Sequence, residues 1–64
     1  MTTRILRLKE VMEKTGKSRA GIYNDAAAGI FPKQIKLGRR ASGWIEAEIN
    51  QWLEDRIADR NDAA

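Results

Sequence analysis

Apolar positions recur with a helical period near the start of the chain. One stripe of residues three or four apart consists of the apolar Leu8, Val11 and Met12, followed by Thr15. This spacing is typical of one face of a short helix, which we expect over about 9–15. Upstream, residues 4–7 are partly apolar and partly basic, and we expect an extended arm or a strand there that lies on the core. Its basic side chains either reach phosphates or only keep this edge soluble.

A second short helix is predicted over about 18–28, because both of its ends carry strong signals. Ser18 can accept a hydrogen bond from the free backbone N–H groups of the first turn. Gly29 can adopt the left-handed conformation that ends a helix, and Pro32 prevents its continuation. Phe31 lies between these two breakers, and we expect its ring to fill the core beneath both helices.

The two helices are separated by a short turn that contains Gly16 and Lys17, which is the pattern of a helix-turn-helix. In this motif the second helix lies in the DNA major groove, and its first residues face the base edges. Ile22 and Ala26 are the expected buried positions, with Ala27 beside them. The residues predicted to contact bases are Ser18, Arg19, Ala20, Tyr23 and Asn24.

After Pro32 the apolar period changes to two. Ile35 and Leu37 alternate with polar residues, which predicts a strand with one buried face. Residues 38–40 supply a turn and 41–45 the returning strand, so that 33–45 forms a wing. Arginines at a wing tip suit phosphate contact or insertion into a minor groove, and a solvated turn is the alternative. The cations predicted to contact the DNA backbone or the minor groove are Lys17, Lys33, Lys36, Arg39 and Arg40.

The last predicted helix runs over about 46–59. Its apolar stripe consists of Ile45, Ile49, Trp52, Leu53 and Ile57. Its remaining face is acidic and should point away from DNA. The predicted fold is therefore mainly α with a small β-hairpin: a winged helix-turn-helix of three helices and a two-stranded wing. We expect a single domain over 1–64, with 1–3 and 61–64 frayed.

Composition narrows the possible functions of the 64 residues. The chain has no cysteine and no histidine. Only carboxylates are left as metal ligands and the usual general base is missing, so we expect no enzyme, no metal and no cofactor. No apolar run approaches the roughly 20 residues that span a bilayer, and no signal peptide opens the chain, so we expect a cytoplasmic, nucleoid-associated protein.

Charge is divided unevenly along the chain. Residues 1–40 hold ten Lys and Arg against three Asp and Glu, a net charge of +7. Residues 41–64 hold two against six, a net charge of −4. A polyanion is attracted to the first part and repelled by the second, which favours double-stranded DNA as the partner of the predicted motif.

The order and spacing of these motifs resemble the AlpA family of small phage and prophage transcriptional regulators, close to the excisionase-like, MerR-related winged-helix proteins. The resemblance rests on RILRLKEV at 4–11, TGKSR at 15–19, IY at 22–23, GIFP at 29–32, IKLGRR at 35–40 and WIEAEINQWL at 44–53. It implies a winged helix-turn-helix that binds DNA near phage or prophage genes. Such proteins activate or repress transcription, often of an integrase, or direct recombination towards excision.

The resemblance also assigns residues to the two DNA-contacting elements. It places Ser18, Arg19, Ala20 and Tyr23 on the recognition helix, and Lys36, Gly38, Arg39 and Arg40 on the wing. The chain departs from the family pattern where Gly21 replaces a small hydroxyl residue, and where Asn24 and Asp25 stand in place of a basic residue. These changes remove one hydroxyl contact and add a negative charge near the DNA face.

Two functions remain open at this point. The first is a sequence-specific DNA-binding regulator or excisionase-like factor, acting alone, beside neighbouring copies of itself or with an integrase. The second is a winged-helix protein-interaction module, an adaptor or an inhibitor of a host or phage protein, with little DNA binding. The second is motivated by Gly21 and Asp25 in the recognition helix, and by the general rule that a fold does not fix a function.

Overall fold

The computed structural model describes residues 3–62, and side chains as far as residue 60. The order of elements is β1 (Ile5–Leu6), α1 (Leu8–Thr15), α2 (Arg19–Ala28), β2 (Ile35–Lys36), β3 (Ser42–Ile45) and α3 (Glu46–Asp62). The predicted fold class is confirmed: three helices accompany a small antiparallel hairpin. Of the ends expected to fray, residues 1, 2, 63 and 64 lie outside the described part of the chain.

The first helix is fixed at both ends by local hydrogen bonds. The backbone N–H of Arg7 donates to Oε1 of Glu10 at 3.0 Å, which satisfies a donor that precedes the first turn. At the other end Gly16 has φ of 73°, and its N–H donates to the carbonyl of Met12 at 2.8 Å. Glycine adopts this left-handed conformation without a Cβ clash, so α1 ends here and the turn begins.

The second helix begins and ends where the sequence predicts. Oγ of Ser18 accepts a hydrogen bond from the N–H of Gly21 at 3.1 Å. Gly29 has φ of 82° and ends the helix. Ile22 and Ala26 are buried as expected, whereas Ala27 is exposed, so the prediction that Ala27 packs beside them is wrong.

The sheet has three strands because the N-terminal segment pairs with the returning strand of the hairpin. The strand order is β1-β3-β2 and both pairings are antiparallel, with Leu6 opposite Trp44 and Ile35 opposite Gly43. A Cβ on Gly43 would overlap Cγ2 of Ile5 and lie 3.1 Å from the carbonyl oxygen of Leu6. The close approach of β1 to β3 therefore depends on the missing side chain at position 43.

The core lies between the helices and β3. Its members are Leu6, Val11, Ile22, Ala26, Phe31, Trp44 and Ile49. Trp44 is fully buried and Trp52 is partly buried, with its ring edge-on to Phe31 at 4.9 Å between centroids. Phe31 thus fills the core as expected, and both tryptophans lie in the core or against it.

The expectation of a buried face on the first strand of the hairpin is wrong. Ile35 and Leu37 do not form a buried face, since 38% and 46% of their surface is exposed. The reason is that β2 is a two-residue edge strand, and α1 and α3 pack against β3 instead.

The third helix is longer than predicted and extends past the core. It continues to Asp62, three residues beyond the expected end, and includes two of the residues expected to fray. The apolar stripe stops contributing to the core after Leu53, and Ile57 is 46% exposed. None of the helices in residues 3–62 is long and apolar enough to cross a membrane.

Candidate nucleic-acid interface

The outward face of α2 presents three of the five residues predicted to contact bases. Arg19, Ala20 and Asn24 are exposed; the first two directly follow the N-cap residue, and Asn24 lies one turn further along the helix. Ser18 is exposed as well, but Oγ already accepts the capping hydrogen bond from Gly21. Its hydroxyl proton remains available to donate to an external acceptor.

Tyr23 occupies the flank of α2 and not its outermost position. Its side chain is half-buried, and its ring lies 6.0 Å from the ring of Trp44 at a tilt of 56°. A shallow groove begins at Tyr23 and runs to the segment that leads into β2. The groove is lined by Tyr23, Ala26, Ala27, Lys33 and Gln34.

Two exposed residues that line this groove were not assigned to the interface by the sequence analysis. Ala27 lies one helical turn after Tyr23 and is exposed, because α2 turns this face away from the core. Gln34 neighbours Lys33 and is exposed too. The helical spacing of Tyr23 and Ala27 was a usable signal for the first, whereas no local pattern distinguishes Gln34.

The wing is closed by a compact turn. The N–H groups of Leu37 and Gly38 both donate to the carbonyl of Ala41, at 2.8 and 3.3 Å. This closure leaves Arg39 and Arg40 at the tip, both exposed, and Lys36 exposed on β2 opposite Ser42. The hairpin thus presents three cations on a short and tightly closed support.

Free positive charge is concentrated on α2 and on the wing. On these two elements, five exposed cations take part in no ion pair within the described side chains: Arg19, Lys33, Lys36, Arg39 and Arg40. Arg7 and Lys9, next to the start of α1, are exposed and unpaired as well. By contrast, Arg4 and Lys14 share the carboxylate of Glu46. The five unpaired cations can therefore bind an external anion without breaking an internal contact.

Lys17 does not join this group, although the sequence analysis places it with the backbone-contacting cations. Its ammonium group forms an ion pair with Asp25. Nζ also lies 5.5 Å from the ring centroid of Trp52 and 5.8 Å from that of Phe31. The structure thus separates Lys17 from the other four residues of that set, because its charge is directed inward.

The two departures from the family pattern have local explanations in α2. The carboxylate of Asp25 is neutralised by Lys17 and is not left bare beside the outward face. At position 21, a Cβ would lie 3.1 Å from Oγ of Ser18. A larger residue than glycine therefore crowds the hydroxyl that caps the helix.

A second and larger groove lies between the segment after α2 and the face of α3. It is lined by Gly29, Ile30, Phe31, Pro32, Glu48, Gln51, Trp52, Asp55 and Arg56. Ile30 stands at this groove with 65% of its surface exposed. The groove combines apolar surface with the acidic side chains of α3, which distinguishes it from the basic surface of α2 and the wing.

Comparison with known proteins agrees with the resemblance drawn from the motifs. The family described as Prophage CP4-57 regulatory protein (AlpA) matches residues 4–57. The DNA-binding transcriptional activator AlpA of Escherichia coli (strain K12) is 48% identical over 59 residues, covering 83% of this chain and 84% of that protein. An uncharacterized protein of Enterobacteria phage P4 is 42% identical over 57 residues, covering 89% of this chain and 65% of that protein. No solved structure gives a significant match.

Proposed function

The chain belongs to the AlpA family of prophage regulatory proteins, and from this premise we propose that it is a sequence-specific, DNA-binding transcriptional regulator of a phage or prophage. The observation that carries the proposal is a cluster of five exposed cations on α2 and the segment that forms the wing, none of which has an ion-pair partner in the described chain. Phosphate contacts of this kind supply much of the affinity of DNA-binding proteins. The Escherichia coli relative is a DNA-binding transcriptional activator, which supports the same conclusion.

In this proposal α2 enters the major groove and the side chains on its outward face contact the bases. Arg19 is the residue we assign to a guanine, because bidentate contact between arginine and guanine is the commonest specific pairing. Asn24 suits an adenine for the same geometric reason. Ser18, Ala20 and Tyr23 complete the surface beside them.

In this proposal the wing and the segment that leads into it bind the DNA backbone. Lys33, Lys36, Arg39 and Arg40 contact phosphates or the minor groove and so set the register of α2 on the bases. Fluorescence anisotropy tests the proposal with two duplexes, one from the DNA that flanks the gene and the nearest integrase gene, the other its scrambled equivalent. A preference of about a hundredfold or more supports a specific regulator. Equal binding to both contradicts sequence specificity.

The same DNA surface can serve transcription or recombination, and we extend the proposal to both outputs. A regulator of integrase expression changes transcript levels, whereas an excision factor bends or occupies the attachment site together with an integrase. A reconstituted excision reaction with purified integrase separates the two roles. Stimulation of excision by the protein supports the excisionase-like role, and a promoter response without such stimulation restricts the function to transcription.

Neighbouring copies on DNA are the second partner in this proposal. The wing presents exposed Leu37 between basic residues, while the groove beside α3 presents Trp52 and exposed Ile30 between Glu48 and Asp55. These surfaces are complementary in charge, and a head-to-tail contact between them builds a row of protomers. Cooperative, salt-sensitive occupation of a long duplex supports this assembly, and non-cooperative one-to-one binding contradicts it.

A protein-interaction module is the alternative function, and the groove beside α3 is the observation that favours it. An apolar residue as exposed as Ile30, next to a partly buried tryptophan, is a feature of docking surfaces. Under this alternative, Ile30→Ser abolishes the biological response while DNA binding is absent even at low salt. Loss of the response through Arg19→Ala, with Ile30→Ser active, supports the DNA-binding function instead.

A further inference from the structure

The ion pair between Lys17 and Asp25 is the shortest of the ion pairs in the described chain and, with the longer pair between Lys14 and Glu46, one of the two least exposed. The Lys17 and Asp25 side chains are only 23% and 29% exposed, whereas both partners of the pair between Arg56 and Asp59 are more than half exposed. The Lys17 ammonium also faces the rings of Phe31 and Trp52. Such partly covered contacts are weakened less by salt than surface pairs are.

Lys17 is held both at its backbone and at the charged end of its side chain. Its backbone N–H donates to Oγ1 of Thr15 at 3.3 Å, and that hydroxyl donates to the carbonyl of Val11 at 2.7 Å. The residue therefore starts from the end of α1, while its charged end reaches α2, the loop after it and α3. One side chain thus links the turn of the helix-turn-helix to α2, to the loop after it and to α3.

Asp25 lies next to the face of α2 that we assign to DNA. Successive residues are about 100° apart around a helix, so Asp25 lies about 100° from exposed Asn24. A bare carboxylate at this position repels the DNA phosphates over about 10 Å, the range of charge interactions at moderate salt. DNA binding at this face is therefore stronger when a cation neutralises the carboxylate of Asp25. Lys17 is the cation that does so.

We propose that Lys17 is the internal counter-ion of the recognition helix: it cancels the charge of Asp25 and fixes α2 against Trp52, and it contacts no phosphate itself. The inference rests on the proposed DNA-binding function and names a positioning residue within it. It assigns to Lys17 a role opposite to the one that the sequence predicts, because a phosphate contact needs its ammonium group to point outward.

A double-mutant cycle on DNA affinity tests this role. The variants are Lys17→Met, Asp25→Asn and the double variant, and their affinities are measured on the same duplex over a series of salt concentrations, well below the unfolding temperature. Methionine keeps the long apolar stem that covers the rings and removes the charge. We expect Lys17→Met to weaken binding about three- to tenfold, because Asp25 is then bare.

The double variant decides between the two roles. The proposal predicts that it regains wild-type affinity within about twofold and keeps the wild-type dependence of log K on log salt, because no phosphate contact has been removed. If Lys17 contacts a phosphate, the double variant stays weak and the slope falls by about 0.9. That second result overturns the proposal.

Lys36→Met is the matched control, since it makes the same chemical change at an exposed, unpaired position. Its slope should fall by about 0.9, and addition of Asp25→Asn should not restore the slope. Lys17→Arg keeps the charge and should bind DNA like the wild type. Loss of affinity in Lys17→Arg as large as in Lys17→Met contradicts a counter-ion role.

Thermal unfolding of the same variants without DNA separates failure of this inference from failure of the proposed function. Internal pairing predicts that the double variant loses less in Tm than the two single variants together. Additive losses overturn the inference even if the protein binds DNA well. Absence of wild-type binding to any duplex at low salt overturns the proposed function, and with it the role of this pair in DNA recognition.

Discussion

Trp52 donates its indole N–H to the carbonyl of Ile30, 22 residues earlier in the chain, at 3.0 Å. Trp44 makes the corresponding contact two residues on, from its indole to the carbonyl of Pro32 at 3.1 Å. The two tryptophans come from different elements, α3 and β3, and both hold the segment between α2 and the wing. The relative position of the two proposed DNA-contacting elements is therefore set by side chains that lie behind them.

Replacing these indoles should cost different amounts of stability. Trp44→Phe leaves a cavity at a fully buried position and removes the hydrogen bond to the partly buried Pro32 carbonyl, so we expect a loss of about 3 kcal/mol. Trp52→Phe should lower the free energy of unfolding by only about 1 kcal/mol, because the exposed carbonyl of Ile30 can accept a hydrogen bond from water instead. Chemical denaturation of both variants measures the difference, and equal losses would contradict the unequal burial of the two rings.

The N-cap of α2 should contribute measurably to stability. Ser18→Ala removes the acceptor for the Gly21 N–H, and we expect a loss of about 1 kcal/mol in the free energy of unfolding. Ser18→Asp keeps an acceptor at the same place and serves as the control. If alanine and aspartate unfold at the same denaturant concentration, Ser18 does not act as the cap.

The two glycines of the hairpin should respond differently to alanine. At Gly43 the added Cβ meets Ile5 and the backbone of Leu6, so we expect Gly43→Ala to destabilise the fold by about 2 kcal/mol. At Gly38 nothing lies within 4 Å of the added Cβ, and Gly38→Ala should change stability by less than about 0.5 kcal/mol. Thermal unfolding of the two variants tests the close contact of β1 with β3.

Arg19 and Arg39 should have separate effects on DNA binding. Arg19→Ala removes a base contact, so we expect it to weaken specific binding by about 1–3 kcal/mol and to relax the sequence preference. Arg39→Ala removes a phosphate contact, so we expect it to weaken binding to all sequences alike and to lower the salt slope by about one. Anisotropy on specific and scrambled duplexes measures both effects. Equal losses on both duplexes for both variants would exclude this division.

Much of the fold can be predicted from the sequence, because local signals and apolar spacing decide it. Ser18 and Gly29 bound α2 through backbone hydrogen bonds that need no distant partner. Prediction from the sequence fails where the burial of a residue depends on tertiary contacts with distant parts of the chain. Ile35 and Ile57 have the right period for a core position, yet one lies on an edge strand and the other beyond the end of the core.

The candidate site is less predictable than the fold, for a physical reason that Lys17 illustrates. A lysine in the turn of a helix-turn-helix is eight residues from Asp25 in sequence, and only the bend of the chain brings the two together. From its positive charge one can predict that Lys17 binds an anion. One cannot predict from the charge whether that anion is a DNA phosphate or a carboxylate of the protein. The exposure of Arg39 and Arg40, by contrast, can be predicted from the sequence, because both lie at the tip of a short hairpin.

We propose above that DNA binds to the outward face of α2 and to the wing. Backbone amide shifts of the isotope-labelled protein, followed by NMR during titration with a short duplex, test it most directly. We predict large shifts at Arg19, Ala20, Asn24 and the tip residues 38–40, and small shifts for the exposed end of α3 after Leu53. The largest shifts at Ile30 and along α3, with α2 and the wing unchanged, would contradict the account and indicate a protein-docking surface instead.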